Sequence, residues 1–148
     1  MTWILSKLEQ KFLECQGGGC YLPQEEINFD KVKSMLAIAD ECINAINELK
    51  PKKGRFNILY KLSYDALHML AEVLLIFNRV KSSNHKCLFA YLCYNYKGYD
   101  WVFFERIRTK RNGMQYYGEG ISYEDWKEIS FQAEFYISEL KKNIFRKL

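Results

Sequence analysis

The sequence predicts an all-α protein, an antiparallel up-down helical bundle carrying one additional helix at its N-terminus. Three observations point there. Apolar residues recur at helical spacing through six stretches. No stretch alternates apolar and polar residues for long, and only two prolines occur in 148 residues, which disfavours a sandwich or barrel. Aliphatic and aromatic residues make up 49 % of the chain and aromatics alone 16 %, a supply of apolar mass that excludes disorder and suits one core.

Residues 2–15 place Trp3, Ile4, Leu8, Phe12 and Leu13 on one face, with Lys7, Glu9, Gln10 and Lys11 mostly opposite. Gly17-Gly18-Gly19 then breaks the helix. A phosphate-binding loop is not supported there, because no Lys-Ser/Thr follows and no strand precedes. Residues 1–27 therefore read as a helix and a glycine-rich connector, and 28–148 as the bundle.

The second helix is expected from Phe29 or Asp30 to Lys50, capped by Asn28 or Asp30, with Val32, Met35, Leu36, Ala39, Cys42, Ile43 and Ile46 buried. Pro51-Lys52-Lys53-Gly54 should end it. The third helix, Phe56 to Val80, is apolar almost all round and should run through the centre. His68 falls within it, four residues before Glu72, and is expected to be a core histidine paired with that carboxylate. Ser82-Ser83-Asn84 forms a turn that caps a fourth helix starting at His85, read as a polar end residue. Gly98 stops that helix and Asp100 caps the fifth, expected over Trp101–Asn112. Ser122 caps the sixth, Tyr123–Arg146, whose stripe is Trp126, Ile129, Ala133, Tyr136, Ile137 and Leu140.

The exit of the fifth helix carries the chemistry. Arg106, Arg108, Lys110 and Arg111 crowd six positions, followed by Asn112, Gly113 and the pair Tyr116-Tyr117. Basic groups at a helix C-terminus complement its dipole, which accounts for the first three. Arg111 differs: Phe104, Ile107 and Arg111 lie at i, i+3 and i+7, so the guanidinium extends an apolar stripe. A charge placed there needs a carboxylate, a phosphate or water.

The five cysteines, Cys15, Cys20, Cys42, Cys87 and Cys93, contain no CxxC pair, and three fall at apolar helical positions as small hydrophobes. A reducing compartment is expected, with a local Cys15–Cys20 bridge the disfavoured alternative. With two histidines far apart, no structural metal site is expected, and no cofactor is implied. No segment reads as a signal peptide or bilayer span, so the chain is expected to be cytoplasmic, with no membrane partner. A net charge of +4 permits a phosphate-bearing partner without requiring one.

Over roughly residues 30–145 the chain resembles the HEPN (higher eukaryotes and prokaryotes nucleotide-binding) family. The likeness is carried by Tyr64-Asp65-Ala66-Leu67-His68-Met69-Leu70-Ala71-Glu72, by the Asn84-His85 turn, and above all by Arg111-Asn112 ahead of the last helix. The resemblance implies a homodimeric bundle that binds nucleotide or RNA, in some members a metal-independent endoribonuclease and in others a partner of a small nucleotidyltransferase in a toxin–antitoxin pair. On that model Arg111, Asn112 and Tyr116 occupy the catalytic positions, and Arg106, Arg108, Lys110 and Tyr117 add RNA contacts. The family's histidine would fall at Tyr116. An imidazole near pKa 6.5 suits base catalysis and a phenol near 10 does not. The resemblance thus implies a nucleotide- or RNA-binding member of weak or no activity. A working endoribonuclease using Arg111 and Tyr116, or helped by His68 or His85, is the alternative, and a purely structural helical module is the third.

Overall fold

The computed structural model describes residues 5–50 and 54–148, and Trp3, Ile4 and Pro51-Lys52-Lys53 lie outside them. Among the described residues the chain forms six helices and one small sheet, in the order α1 (Lys7–Gly17), β1 (Tyr21–Pro23), α2 (Phe29–Leu49), α3 (Phe56–Phe77), β2 (Val80–Ser82), α4 (His85–Asn95), α5 (Trp101–Tyr117) and α6 (Tyr123–Phe145). The bundle is all-α in class, as the periodicity predicts.

Helix α3 is its axis. Ala66, Leu70, Ala71, Val73 and Leu74 have no exposed surface, and α2, α4, α5 and α6 supply the rest of one continuous core. The pairs Lys50–Glu134 (3.1 Å) and Lys141–Asp40 (2.8 Å) set α6 antiparallel to α2. Arg106–Glu128 (3.3 Å) and Lys110–Asp125 (3.0 Å) set it antiparallel to α5. Side chains cap five of the helices: Ser6 accepts from Glu9 N–H, Asn28 from Lys31, Asn84 from Cys87, Asp100 from Val102 and Ser122 from Asp125.

Four features differ from the sequence expectation. Helix α3 stops at Phe77, because Arg79 adopts φ 60° and turns the chain into β2. The Arg79 guanidinium offsets that strain by donating to the Gln24 (3.2 Å) and Glu25 (2.5 Å) carbonyls. The two strands pair antiparallel, Tyr21 with Ser82 and Pro23 with Val80, too short for an alternation to be read.

Third, Cys15 is disulfide-bonded to Cys87 across 72 residues, with Cα atoms 5.7 Å apart, which corrects the expectation of free thiols. The bond follows from docking α1 on α4, where Phe12 stacks on Tyr94 at 4.0 Å; Leu13 points outward instead, 46 % exposed. Cys20, Cys42 and Cys93 are free.

Fourth, α5 does not end at Gly113. It runs on to Tyr117 and closes on Gly118 at φ 65°, with the Gly113 carbonyl accepting from the Gly118 and Glu119 N–H groups. Gly113 is a buried, helical glycine against which the Glu119 side chain folds. Two substitutions separate the roles. Gly113→Ala should raise unfolding free energy by about 0.5 kcal/mol, since helical alanine is favoured and exposed Glu119 can swing away. Gly118→Ala should lower it by about 1 kcal/mol, because Cβ resists the left-handed conformation. Urea denaturation measures both.

Candidate functional site

Where α5 passes the start of α4, the fold leaves an open cavity of about 470 Å³, within the range of small-ligand sites. Arg108, Arg111, Asn112 and Tyr116 line it from α5, Asn84, His85, Lys86 and Cys87 from the α4 entry, and Lys11, Glu14 and Cys15 from α1, with Cys20 just beyond.

Helical phase divides the basic cluster. Arg106 and Lys110, four residues apart, turn to α6 and are taken by Glu128 and Asp125. Arg108 and Arg111, three apart, share the face toward the cavity. Arg108 is held by Glu105, Nε to Oε1 at 3.0 Å and Nη2 to Oε2 at 3.2 Å. Arg111 is different in kind. It is half-buried and lies over the Tyr64 ring, Cζ 5.3 Å from the centroid, yet forms no ion pair or hydrogen bond with any described residue. Such stacking is worth about 0.5–1 kcal/mol and leaves the guanidinium's N–H donors unused. Tyr116 stands 72 % exposed on the cavity rim. Tyr117 is 79 % exposed and away from the lining, so neither ring packs over a helix end.

His85 is the residue the sequence under-read. It opens α4, and three-dimensional folding alone sets it beside Arg111. Its Nδ1 lies 3.0 Å from the hydroxyl of Tyr64, which is 2 % exposed. Burial raises the Tyr64 pKa, so the phenol keeps its proton. A buried hydroxyl proton needs an acceptor, and His85 Nδ1 is the partner the fold provides. We assign the Tyr64 O–H as donor, which puts the imidazole proton on Nε2. Burial, then the Arg111 charge, lowers the His85 pKa, so the ring is neutral near pH 7. A neutral imidazole presenting Nε2–H is a hydrogen-bond donor; its basic nitrogen is already occupied. The leading N–H groups of α4, at His85 and Lys86, point from a helix N-terminus, which favours an anion in the same place.

Behind His85 lies His68, ring centroids 3.8 Å apart. Its Nε2 is 3.5 Å from Glu72 Oε1 but makes no hydrogen bond, so the expected pairing is one of proximity only. Burial, His85 and Arg111 push the His68 pKa down to about 3. The unfolded chain therefore takes up a proton at this histidine below pH 6.5 while the folded chain stays neutral, so protonation favours unfolding. From pH 6.5 down to about 5, His68 should remove as much as about 1.4 kcal/mol of stability per pH unit. His85 contributes in the same direction, whereas Glu72 and Asp65, whose pKa values burial raises, oppose it by taking up protons in the folded chain above the ordinary carboxylate range. Chemical denaturation across this window should show the slope, and His68→Phe should remove most of it.

Among the described residues no group of three His, Cys, Asp or Glu side chains is arranged to hold a metal ion, and no helix is long and apolar enough to cross a membrane. No family model, no curated protein and no solved structure matches the chain. Four cationic side chains, Lys11, Lys86, Arg108 and Arg111, and one carboxylate, Glu14, line the cavity.

Proposed function

We propose that this chain binds the phosphate groups of a nucleotide or RNA in the α4–α5 cavity, as a HEPN-like binding protein acting as a homodimer or with a nucleotidyltransferase-type partner. The observation that carries the reading is Arg111: half-buried, stacked on Tyr64 and in no ion pair or hydrogen bond with a described residue, though its charge reaches the Asp65 carboxyl, while its three basic neighbours on α5 each have an ion-pair partner. Leaving a guanidinium so placed costs stability unless a ligand completes it. His85 Nε2–H and the α4 N-terminus add neutral donors, and Tyr116 on the rim can stack a base.

Cleavage is the second reading, favoured by one observation: a histidine stands beside the phosphate-binding arginine. As the Nε2–H tautomer it is suited to protonate a leaving oxygen rather than to accept the 2′-hydroxyl proton, and Tyr116 makes no hydrogen bond with a described residue that would take up its own.

Fluorescence anisotropy with a labelled single-stranded RNA, beside incubation of an RNA pool in EDTA, separates the two. For a binder, affinity falls with salt by about 0.7 decades per decade for each phosphate contacted, and His85→Gln, which keeps a donor near the Nε2 position, retains most of it. Cleavage in EDTA abolished by His85→Gln and by Arg111→Ala would establish the nuclease. Absence of salt-sensitive binding and of cleavage would leave only a structural module.

A further inference from the structure

The N-terminal helix lies outside the stretch that resembles HEPN proteins, yet it forms one wall of the cavity. Its Lys11 and Cys15 are four residues apart and so share a face. On α4, Lys86 directly precedes Cys87. The Cys15–Cys87 disulfide therefore brings two lysines together at the cavity mouth, and both line it. Like charges repel, and an exposed helix would ordinarily dock to avoid this. Here a covalent bond holds them. Glu14 answers Lys11 at 2.7 Å but is itself largely exposed, and no carboxylate pairs with Lys86 among the described residues. The whole lining sets four cations, Lys11, Lys86, Arg108 and Arg111, against that one carboxylate.

We propose that Lys11 and Lys86 form a second phosphate subsite, so that the cavity takes a strand with two adjacent phosphates rather than a mononucleotide. One phosphate sits on Arg111 and His85, and its neighbour along the strand is gripped between the two lysines, replacing Glu14 as the counter-charge of Lys11. The lining runs from Lys11 and Glu14 of α1 through His85 and Lys86 to Tyr116 in the last turn of α5, so the lysine pair and Arg111 face one continuous recess. Burial and the nearby Lys11 lower the Lys86 pKa, a cost that an anion between them would relieve. The inference rests on the phosphate-binding reading and extends it to substrate class and to the role of α1.

The test compares the dinucleotides UpU, with one phosphate, and pUpU, with two, by NMR titration of the oxidised full chain. Wild-type protein should bind pUpU about five- to tenfold more tightly than UpU. That ratio should fall to about one in Lys11→Ala and in Lys86→Ala, and should drop as well in Cys15→Ser/Cys87→Ser, where α1 loses its tether to α4. A ratio near one in wild type, or a preference that survives either lysine substitution, overturns the second subsite. Should UpU bind with no dependence on Arg111, or not bind at all, the underlying reading fails first and takes the inference with it.

Discussion

Arg111→Ala should weaken binding of a short single-stranded RNA by about 10- to 100-fold, the loss expected when a charge-assisted phosphate contact worth roughly 1.5–3 kcal/mol is removed. The size follows from how the side chain is held. Stacking on the Tyr64 ring restricts the guanidinium, so less order is lost when ligand arrives, and no carboxylate of a described residue pairs with it. Arg108→Ala should cost less, about threefold, because Glu105 already occupies two of its N–H groups. Arg106→Ala and Lys110→Ala, committed to Glu128 and Asp125, should change affinity by less than about twofold. Arg111→Lys should not rescue, since a lysine loses both the fork and the ring stacking. Anisotropy titrations rank the set. Stability supplies an independent readout: Arg111→Met should leave the melting temperature unchanged or raise it, because a half-buried charge lacking a carboxylate partner is kept at the expense of the fold.

Reducing the Cys15–Cys87 bond should lower the melting temperature by roughly 6–12 °C. Closing a loop across 72 residues stabilises by about 2–4 kcal/mol, mainly by restricting the unfolded chain, and a domain of this length loses about 3 °C per kcal/mol. Helix α1 depends on the bond more than the core does, since its other anchors are Phe12 against Tyr94 and Tyr21, and the β1–β2 ladder. Limited proteolysis should therefore cut within residues 7–20 in reductant and spare them without it. Scanning calorimetry with and without reductant checks the first effect. The Cys15→Ser/Cys87→Ser variant should melt like the reduced wild type and ignore reductant. Five alkylatable thiols in the unreduced protein would refute the bond.

Much of the bundle is legible in the sequence because its signals are local. Asn28, Asn84, Asp100 and Ser122 each announce a helix start by residue type and position, and each caps as expected. The apolar stripes of α2 and α6 include their buried residues Val32, Met35, Ala39 and Ile46, and Trp126, Ile129, Ala133, Tyr136 and Leu140, because one helical face can be counted off without knowing its partner. In α5 the sequence set only Arg111 apart from its basic neighbours; that Arg108 joins it at the cavity while Arg106 and Lys110 turn to α6 is shown by the fold.

What remained hidden is either conformational degeneracy or long-range contact. Gly113 and Gly118 look alike in sequence, and only the closing hydrogen bonds on the Gly113 carbonyl show which one ends the helix. The three-residue strands are below the length at which alternation means anything. His85 reads as a polar end residue until α3 places Tyr64 against it, and Lys11 reads as solvated until the disulfide carries α1 to α4. Of the three helices that line the cavity, α5 and the Asn84-His85 entry to α4 were marked in the sequence, and α1 was not.

Backbone amide NMR mapping during titration with a short single-stranded RNA tests the phosphate site most directly. Shift changes should concentrate at Asn84, His85, Lys86 and residues 108–116, saturate together and disappear in Arg111→Ala. Changes confined to the outer faces of α2 or α6, or a map indifferent to Arg111, would contradict it.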